Sequence, residues 1–95
     1  MSETNDPDQL PSQRLGAPSP HVSPTLSRLA PSLRPDPYPA CADCPASDWY
    51  ATLSALRCFC SAYRKISWQK DDAPVMACDA RETAIAVYRA EHRQG

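Results

Sequence analysis

The chain has 95 residues, 11 prolines, five cysteines and a formal net charge of −1. This length accommodates at most one small domain, and the near-neutral charge argues against a strongly basic nucleic-acid-binding protein. No run approaches the roughly 18 apolar residues of a transmembrane helix. The acidic, polar start does not resemble a signal peptide, so we expect a soluble, cytoplasmic protein without membrane contact.

Residues 1–39 are predicted to form a disordered, proline-rich arm. Nine of the prolines precede position 40, whereas all five cysteines and both tryptophans follow it. Isolated apolar residues cannot bury enough surface to offset the entropy of ordering the chain. Leu26, Leu29 and Leu33 do recur at helical spacing and could form a turn in a partner's groove. An unstructured tether is the preferred interpretation, given the flanking prolines.

Residues 40–95 are expected to hold the whole folded domain. Domains of this size bury only about 60% of their unfolded surface and usually need a disulfide, a metal or a partner chain. A reducing cytoplasm disfavours disulfides, and so does the odd number of cysteines. The cysteines are therefore predicted to bind a metal.

The segment 53–69 permits two interpretations. Its apolar residues recur at helical spacing, but only a strand projects Cys58 and Cys60 from the same face. A turn-like stretch follows, and residues 75–78 form a short apolar run that could pair back. We therefore predict a strand over about 56–68 in a β-hairpin with 75–78, while the helical alternative stays open.

The C-terminal segment is predicted to be a helix over residues 80–93. Asp79 is expected to cap it, with Glu82 completing a capping box, and helix-forming residues dominate the segment. The predicted fold is thus a small, metal-stapled α+β domain. It comprises a zinc knuckle, a β-hairpin and a C-terminal helix behind a disordered N-terminal arm.

The five cysteines follow the pattern C-x2-C-x13-C-x-C-x17-C. Structural zinc takes four tetrahedral Cys or His ligands, so one cysteine would be spare. Zn²⁺ is the predicted cofactor, ahead of buried free thiols without metal and an iron–sulfur cluster. The candidate metal ligands are Cys41, Cys44, Cys58, Cys60 and Cys78.

The choice of four ligands stays open at this stage. Cys78 would lie beside the start of the C-terminal helix, whose positive end favours a thiolate. We slightly favour Cys41, Cys44, Cys60 and Cys78, although spacing does not separate Cys58 from Cys60.

Catalysis is not expected, because no Cys/His/Asp arrangement resembles a triad. His21 lies in the arm and His92 lies about 20 Å of helix beyond Cys78, so both are expected in solvent. Asp71 and Asp72 fit a solvated turn. A redox-active C-x2-C would need a strand before it and a helix opening at its first cysteine, so a redox-active thiol protein is a minor alternative.

Aromatic and basic residues alternate along the predicted strand. Its face opposite the cysteines would carry Arg57, Phe59, Ser61, Tyr63 and Lys65. Such a face could stack single-stranded nucleic acid. Core packing or contact with a partner protein is preferred, because the domain is neutral overall.

The cysteine-rich block resembles small proteins carried by bacterial conjugative plasmids and integrative elements. This resemblance implies a cytoplasmic accessory role around DNA transfer or its control, without an established activity. Our leading hypothesis is a non-enzymatic zinc-binding interaction module of a mobile element with a protein partner, and the rival is a nucleic-acid-binding zinc module. The residues that carry the resemblance are Cys41-x2-Cys44-Pro45, Trp49, Leu56-Arg57-Cys58-Phe59-Cys60, Trp68, Cys78-Asp79 and Glu82.

Overall fold

The protein is an α+β structure in which a three-stranded sheet replaces the predicted two-stranded hairpin. The computed structural model describes residue 10 and residues 12–93. We call the second 3₁₀ turn, which holds the first cysteine, the cysteine turn. The elements in chain order are α1 (Pro24–Arg28), a 3₁₀ turn (Pro31–Leu33), the cysteine turn (Ala40–Asp43), β1 (Ser47–Ala51), β2 (Leu56–Cys60), β3 (Lys65–Gln69) and α2 (Asp79–Glu91).

The sheet is antiparallel, with the order β1-β2-β3. The strand prediction for 56–68 was right at its start and wrong in its middle, because the chain reverses at residues 61–64. Arg64 takes a left-handed backbone conformation, with φ 58°, and its N–H donates to the Cys60 carbonyl at 2.7 Å. No Gly, Pro, Asn or Asp marks this turn, and a non-glycine residue at positive φ is uncommon.

Residues 75–78 do not form the predicted second strand of a hairpin. The Val75 carbonyl accepts from the Ala40 N–H at 2.6 Å, and the Met76 carbonyl accepts from the Leu15 N–H at 2.9 Å. The segment therefore runs between the arm and the cysteine turn. β3 is the actual hairpin partner of β2, and the helical alternative for 53–69 is wrong.

A β-bulge interrupts the pairing of β2 with β3. Cys58 pairs with Trp68 and Phe59 with Ile66, which leaves Ser67 as the extra residue. A bulge sets two residues against one on the partner strand and re-aims side chains. The Ser67 hydroxyl donates to the Cys58 carbonyl at 3.4 Å and lowers the pKa of the Cys58 thiol, while Trp68, which pairs with Cys58, lies on the same face of the sheet as Cys58.

The core lies between the inner face of the sheet, the cysteine turn and α1. The indole rings of Trp49 and Trp68 pack at 5.4 Å between centroids, and the Trp49 indole N–H donates to the Cys41 carbonyl at 2.8 Å. This bond satisfies the one polar group that a buried tryptophan brings with it. The buried core cluster is Leu26, Cys41, Ala42, Trp49 and Cys58.

The described part of the arm packs against the domain. Leu26 of α1 is only 2% exposed, and the Thr25 hydroxyl donates to the Trp49 carbonyl at 3.0 Å. The helical spacing of the leucines therefore marked a real helix, and the groove it fills belongs to this chain. Residues 1–9 and 11 lie outside the described residues, and the division of the chain at residue 39 stays a prediction from composition.

Helix α2 begins at Asp79, one residue earlier than predicted, and lacks the predicted capping box. Cys78 is its N-cap residue and forms no side-chain capping bond, while Asp79 is already helical. The Glu82 carboxylate accepts instead from the Ala17 N–H in the arm, at 3.1 Å. Ile85 faces inward at 3% exposure. In the part of the chain described above, no helix has the length and apolar character to cross a membrane.

Candidate metal centre

Four of the five cysteines come together on the inner face of the sheet. Cys41 lies in the cysteine turn and Cys44 directly follows it, while Cys58 and Cys60 lie on β2. All four are buried free thiols, and Cys58 is completely inaccessible to solvent. We call these four residues the thiol cluster.

Local backbone geometry explains why the cluster forms. Side chains three residues apart eclipse one another in a 3₁₀ turn, and the Cys44 N–H closes such a turn on the Cys41 carbonyl at 3.4 Å. Side chains two residues apart share one face of a strand, which brings Cys58 and Cys60 together as the sequence predicted. The turn and the strand thus each contribute a pair of thiols.

Cys41 and Cys58 are neighbours that influence each other's pKa values. A hydrogen bond between the two side chains raises the pKa of the Cys41 thiol, and burial raises it further. The same bond lowers the pKa of Cys58 to about 7, with help from the Ser67 and Ser47 hydroxyls and against the effect of burial. Cys58 is therefore the more acidic thiol of the pair.

Polar hydrogens also surround the other two sulfurs. Burial raises the pKa of Cys44, and hydrogen bonds from the Ala46 N–H and the Ser47 hydroxyl oppose that effect. The Tyr63 N–H donates to the Cys60 sulfur at 3.4 Å. Hydrogen bonds from N–H and O–H groups stabilise negative charge on sulfur, but at Cys44 they only partly offset burial, which raises the pKa of that thiol.

Cys78 stands apart from this group. It is half-buried at the start of α2, and it is absent from the groups that shift the pKa values of Cys41, Cys44 and Cys58. Those groups do include Cys60. The structure therefore brings together both cysteines of the C-x-C pair, rather than the slightly favoured set that contained Cys78. Which cysteines bind a metal stays a prediction.

The thiol cluster is not a preformed coordination shell. Across residue 10 and residues 12–93, no group of three or more His, Cys, Asp or Glu side chains is placed to hold a metal ion. The sulfurs are near enough to alter one another's pKa values without surrounding a common point. A metal would have to draw them closer together.

A second polar site, missed by sequence reasoning, lies on the opposite side of the cysteine turn. The Arg81 guanidinium is almost completely buried and donates to Asp43 Oδ1 at 3.1 Å, to Glu82 Oε2 at 2.7 Å and to the Ala17 carbonyl at 2.7 Å. Arg14 adds an ion pair to Asp43 at 3.0 Å. We call the four charged residues, Arg14, Asp43, Arg81 and Glu82, the latch.

The latch fixes the arm on α2 with little free space. Gly16 has φ +126°, and a Cβ atom there would meet the Glu82 carboxylate and the Arg81 guanidinium. Glycine is the residue that adopts this conformation without steric cost. The Ala17 N–H, and then Arg81, lower the pKa of Glu82. The one sequence signal was a glycine isolated in a proline-rich arm.

The remaining predicted side chains have mixed outcomes. Asp71 and Asp72 lie in an exposed turn as predicted, and Asp72 accepts from Gln69 at 2.8 Å. His92 is exposed and stacks on Tyr88 at 4.0 Å between ring centroids. His21 instead is half-buried, because its ring packs edge-on against Tyr88 at 5.9 Å.

The predicted basic and aromatic strand face forms only in part. Arg57 and Phe59 lie on β2, opposite the cysteines. Ser61 and Tyr63 fall in the turn after β2, and Lys65 pairs with Cys60. The face as predicted is wrong beyond Cys60, because the strand ends there.

Comparison with known proteins gives two relatives, both called Protein TraH and both from Escherichia coli. One is 36% identical over 63 residues, which cover 65% of this chain and 53% of the relative. The other is 33% identical over 58 residues, which cover 60% of this chain and 45% of the relative. The chain thus spans about half the length of the curated relatives it matches.

No protein-family model matches the chain, and no solved structure matches it. The resemblance to proteins of bacterial conjugative plasmids, which the cysteine-rich block suggested, is confirmed by the two TraH relatives.

Proposed function

We propose that the chain is a non-enzymatic interaction module of a conjugative mobile element, and that one zinc ion in the thiol cluster holds its fold together. The role in conjugation is supported by the similarity to two TraH proteins over about half their length. The zinc site is supported by one observation, the meeting of four buried thiols from two separate segments. The proposed location is the cytoplasm, where thiols stay reduced.

The surroundings of the cluster fit the needs of a thiolate-bound zinc ion. Structural zinc sites take four ligands as thiolates or imidazoles, and hydrogen bonds to the ligands orient and tune them. Here the Tyr63 N–H donates to the Cys60 sulfur at 3.4 Å, and hydrogen bonds from Ala46 and Ser47 act to lower the pKa of Cys44. The hydrogen bonds that lower the pKa of Cys58 favour its binding as a thiolate, and zinc binding would release protons from the ligands.

The interaction role is supported by large apolar side chains that lie in solvent. Leu53 is fully exposed and Leu33 is 64% exposed. Both border a groove of about 580 Å³ whose wall includes Leu29, Leu56 and Trp68. Contiguous exposed apolar surface is typical of protein-contact sites, and we propose a partner protein of the same mobile element as its occupant.

Metal analysis of the full chain, purified without chelator, tests the zinc proposal. We expect about one equivalent of zinc, and unfolding after a strong chelator removes it, because zinc binding contributes folding free energy directly. Visible absorption bands with bound iron would instead indicate a cluster. Less than about 0.3 equivalents of metal, together with a fold that is insensitive to chelator, contradicts the proposal.

A further inference from the structure

Within the thiol cluster, Cys41 and Cys58 are a closer pair than any other two sulfurs. Their side chains are joined by a hydrogen bond, and both residues belong to the buried core cluster, which does not include Cys44 or Cys60. Cys44 interacts with Cys41 and with Cys60 through charge alone. The cluster therefore contains one pair of free thiols in direct contact, rather than four equivalent thiols.

Trp49 fixes the position of both members of this pair. It pairs directly with Cys58 in the register of β1 and β2, and its indole N–H donates to the Cys41 carbonyl at 2.8 Å. Directly paired residues project from the same face of an antiparallel sheet, so Trp49 lies beside the Cys58 side chain while it anchors the backbone of Cys41. The contact between the two sulfurs is thus supported by the backbone on both sides.

Other cysteine pairs are less suited to a disulfide. A disulfide requires Cα atoms about 4.4–6.8 Å apart and Cβ atoms that point toward each other. Cys58 and Cys60 lie two residues apart on a strand, a distance of about 6.6 Å over which their side chains project in parallel. The Cys60 sulfur also accepts a hydrogen bond from the Tyr63 N–H at 3.4 Å. Cys78 lies at the start of α2, outside the groups that act on Cys41 and Cys58.

We infer that Cys41 and Cys58 form a reversible disulfide when the chain meets hydrogen peroxide. One sulfur attacks a peroxide oxygen, the O–O bond breaks, and the sulfur becomes a sulfenic acid as one water leaves. The second sulfur then displaces the hydroxyl group, which leaves as a second water, and the S–S bond forms. Peroxide accepts two electrons, both thiol hydrogens end in water, and a thiol reductant reverses the reaction.

Burial of the pair favours a small oxidant and a disulfide product. Cys58 has no exposed surface and Cys41 is 8% exposed, so a molecule little larger than water fits the approach better than a bulky disulfide does. A sulfenic acid condenses with a neighbouring thiol, and the contact between the two side chains supplies that thiol at once. The pair should therefore stop at the disulfide, without further oxidation to a sulfinic acid.

The disulfide would join the cysteine turn to β2, the two segments that the proposed zinc ion also joins. Structural zinc takes four ligands as thiolates or imidazoles, and oxidation would remove two of the four thiols in the cluster. Zinc and the disulfide therefore exclude each other, a consequence that rests on the proposed zinc site, whereas the disulfide itself does not. A cross-link between residues 41 and 58 constrains the unfolded chain, so the oxidised chain should keep its fold after zinc leaves.

Peroxide treatment of the full chain, purified without chelator, tests the inference. Alkylation under denaturing conditions counts the free thiols, and we expect the count to fall from five to three. Dithiothreitol should restore all five. A zinc-sensitive dye in the same reaction should report zinc release at the rate at which the two thiols disappear.

Peptide mass mapping without reduction identifies the bond. Proteolytic cleavage before Asp43 separates Cys41 from Cys44, and cleavage after Phe59 separates Cys58 from Cys60. The Cys41–Cys58 linkage should therefore be recovered as a unique cross-linked peptide. Cys78→Ser is the control variant, because it removes the one cysteine outside the cluster. It should fall from four free thiols to two with the same linkage.

Three outcomes overturn the inference. The first is a chain that keeps all five thiols in peroxide while circular dichroism shows that it is folded. The second is a recovered bond that joins Cys41 to Cys44, or one that includes Cys60 or Cys78. The third is a Cys78→Ser variant that no longer loses thiols. The zinc proposal fails separately, because a chain that binds no zinc and still forms the Cys41–Cys58 bond contradicts that proposal and supports the disulfide.

Discussion

The thiol cluster and the latch hold the cysteine turn from opposite sides. Cys41 projects toward the sheet, where its thiol hydrogen-bonds Cys58, while Asp43, two residues later, pairs with Arg81 of α2 and Arg14 of the arm. The latch is complete within this chain, since Arg81 makes bonds with three separate partners. Within the described residues the cluster gathers thiols without a coordination shell, so the zinc proposal requires an added ion to complete it, which the latch does not require.

The largest expected effect tests which cysteines of the thiol cluster bind zinc. Cys58→Ser should abolish stoichiometric zinc binding and lower the free energy of unfolding by on the order of 5 kcal/mol or more, because zinc binding is folding free energy. Cys78→Ser is the matched control and should retain both zinc and stability. Metal analysis and chemical denaturation measure the two quantities. Loss of zinc in Cys78→Ser, with retention in Cys58→Ser, would reverse the assignment.

The next effect tests whether the arm belongs to the folded body. Leu26→Ala should lower the free energy of unfolding by about 2–4 kcal/mol, because it leaves a cavity in the core. Leu33→Ala, at a leucine that is 64% exposed, should change it by less than about 0.5 kcal/mol. Urea denaturation of both variants gives the difference. Equal unfolding free energies for the two variants would indicate that residues 12–39 are a tether that does not stabilise the folded domain.

On the latch side, Arg81→Ala should cost about 2–3 kcal/mol of unfolding free energy. Removal of one partner from a buried ion pair costs about 3–5 kcal/mol, and the value is smaller here because the Asp43 side chain is 20% exposed. Arg89→Ala, which loses one exposed bond to the Pro18 carbonyl, should cost far less. Faster proteolysis within residues 12–19 of Arg81→Ala would report release of the arm.

The smallest effect is a pH dependence of the latch. Because its contacts lower the pKa of Glu82 in the folded chain, the carboxylate stabilises the fold above its unfolded pKa of about 4.3, and this contribution disappears as the pH falls through the lower folded pKa. Glu82→Gln should therefore flatten the stability profile below the unfolded pKa of about 4.3. Glu91→Gln, exposed on the same helix, should leave the profile unchanged.

The sequence predicted those features that depend on residue spacing within a single helix or strand. The two-residue period of a strand placed Cys58 and Cys60 together, and leucine spacing marked α1, although its groove was assigned to a partner. Contacts between residues far apart in the chain leave no comparable spacing pattern in the sequence. Arg81 meets Asp43 and Ala17 across 38 and 64 residues, and no local motif announces such pairs. A single sequence therefore revealed the cluster but not the latch.

The sequence did not predict the strand boundaries correctly where the local residues give only a weak signal. The turn after Cys60 has Arg64 at positive φ, where glycine or asparagine is the ordinary signal. β1 was missed because Ser47–Ala51 holds one strongly apolar inward residue, Trp49, and is too short for a clear alternation. In both places the pairing with β2 outweighs the weak local preference.

The extra residue in β3, Ser67, determines from which face of the sheet each β3 side chain projects. With Cys58 held opposite Trp68, a strand without the bulge would pair Ser67 with Phe59 and Ile66 with Cys60. Ile66 would then turn inward beside a sulfur, and Ser67 would turn outward among the aromatic rings. One inserted residue thus decides which β3 side chain faces the thiol cluster and which faces the opposite side of the sheet. Deletion of Ser67 would remove the bulge and leave Ile66 paired with Phe59, so the bulge is an irregularity that the present register can lose.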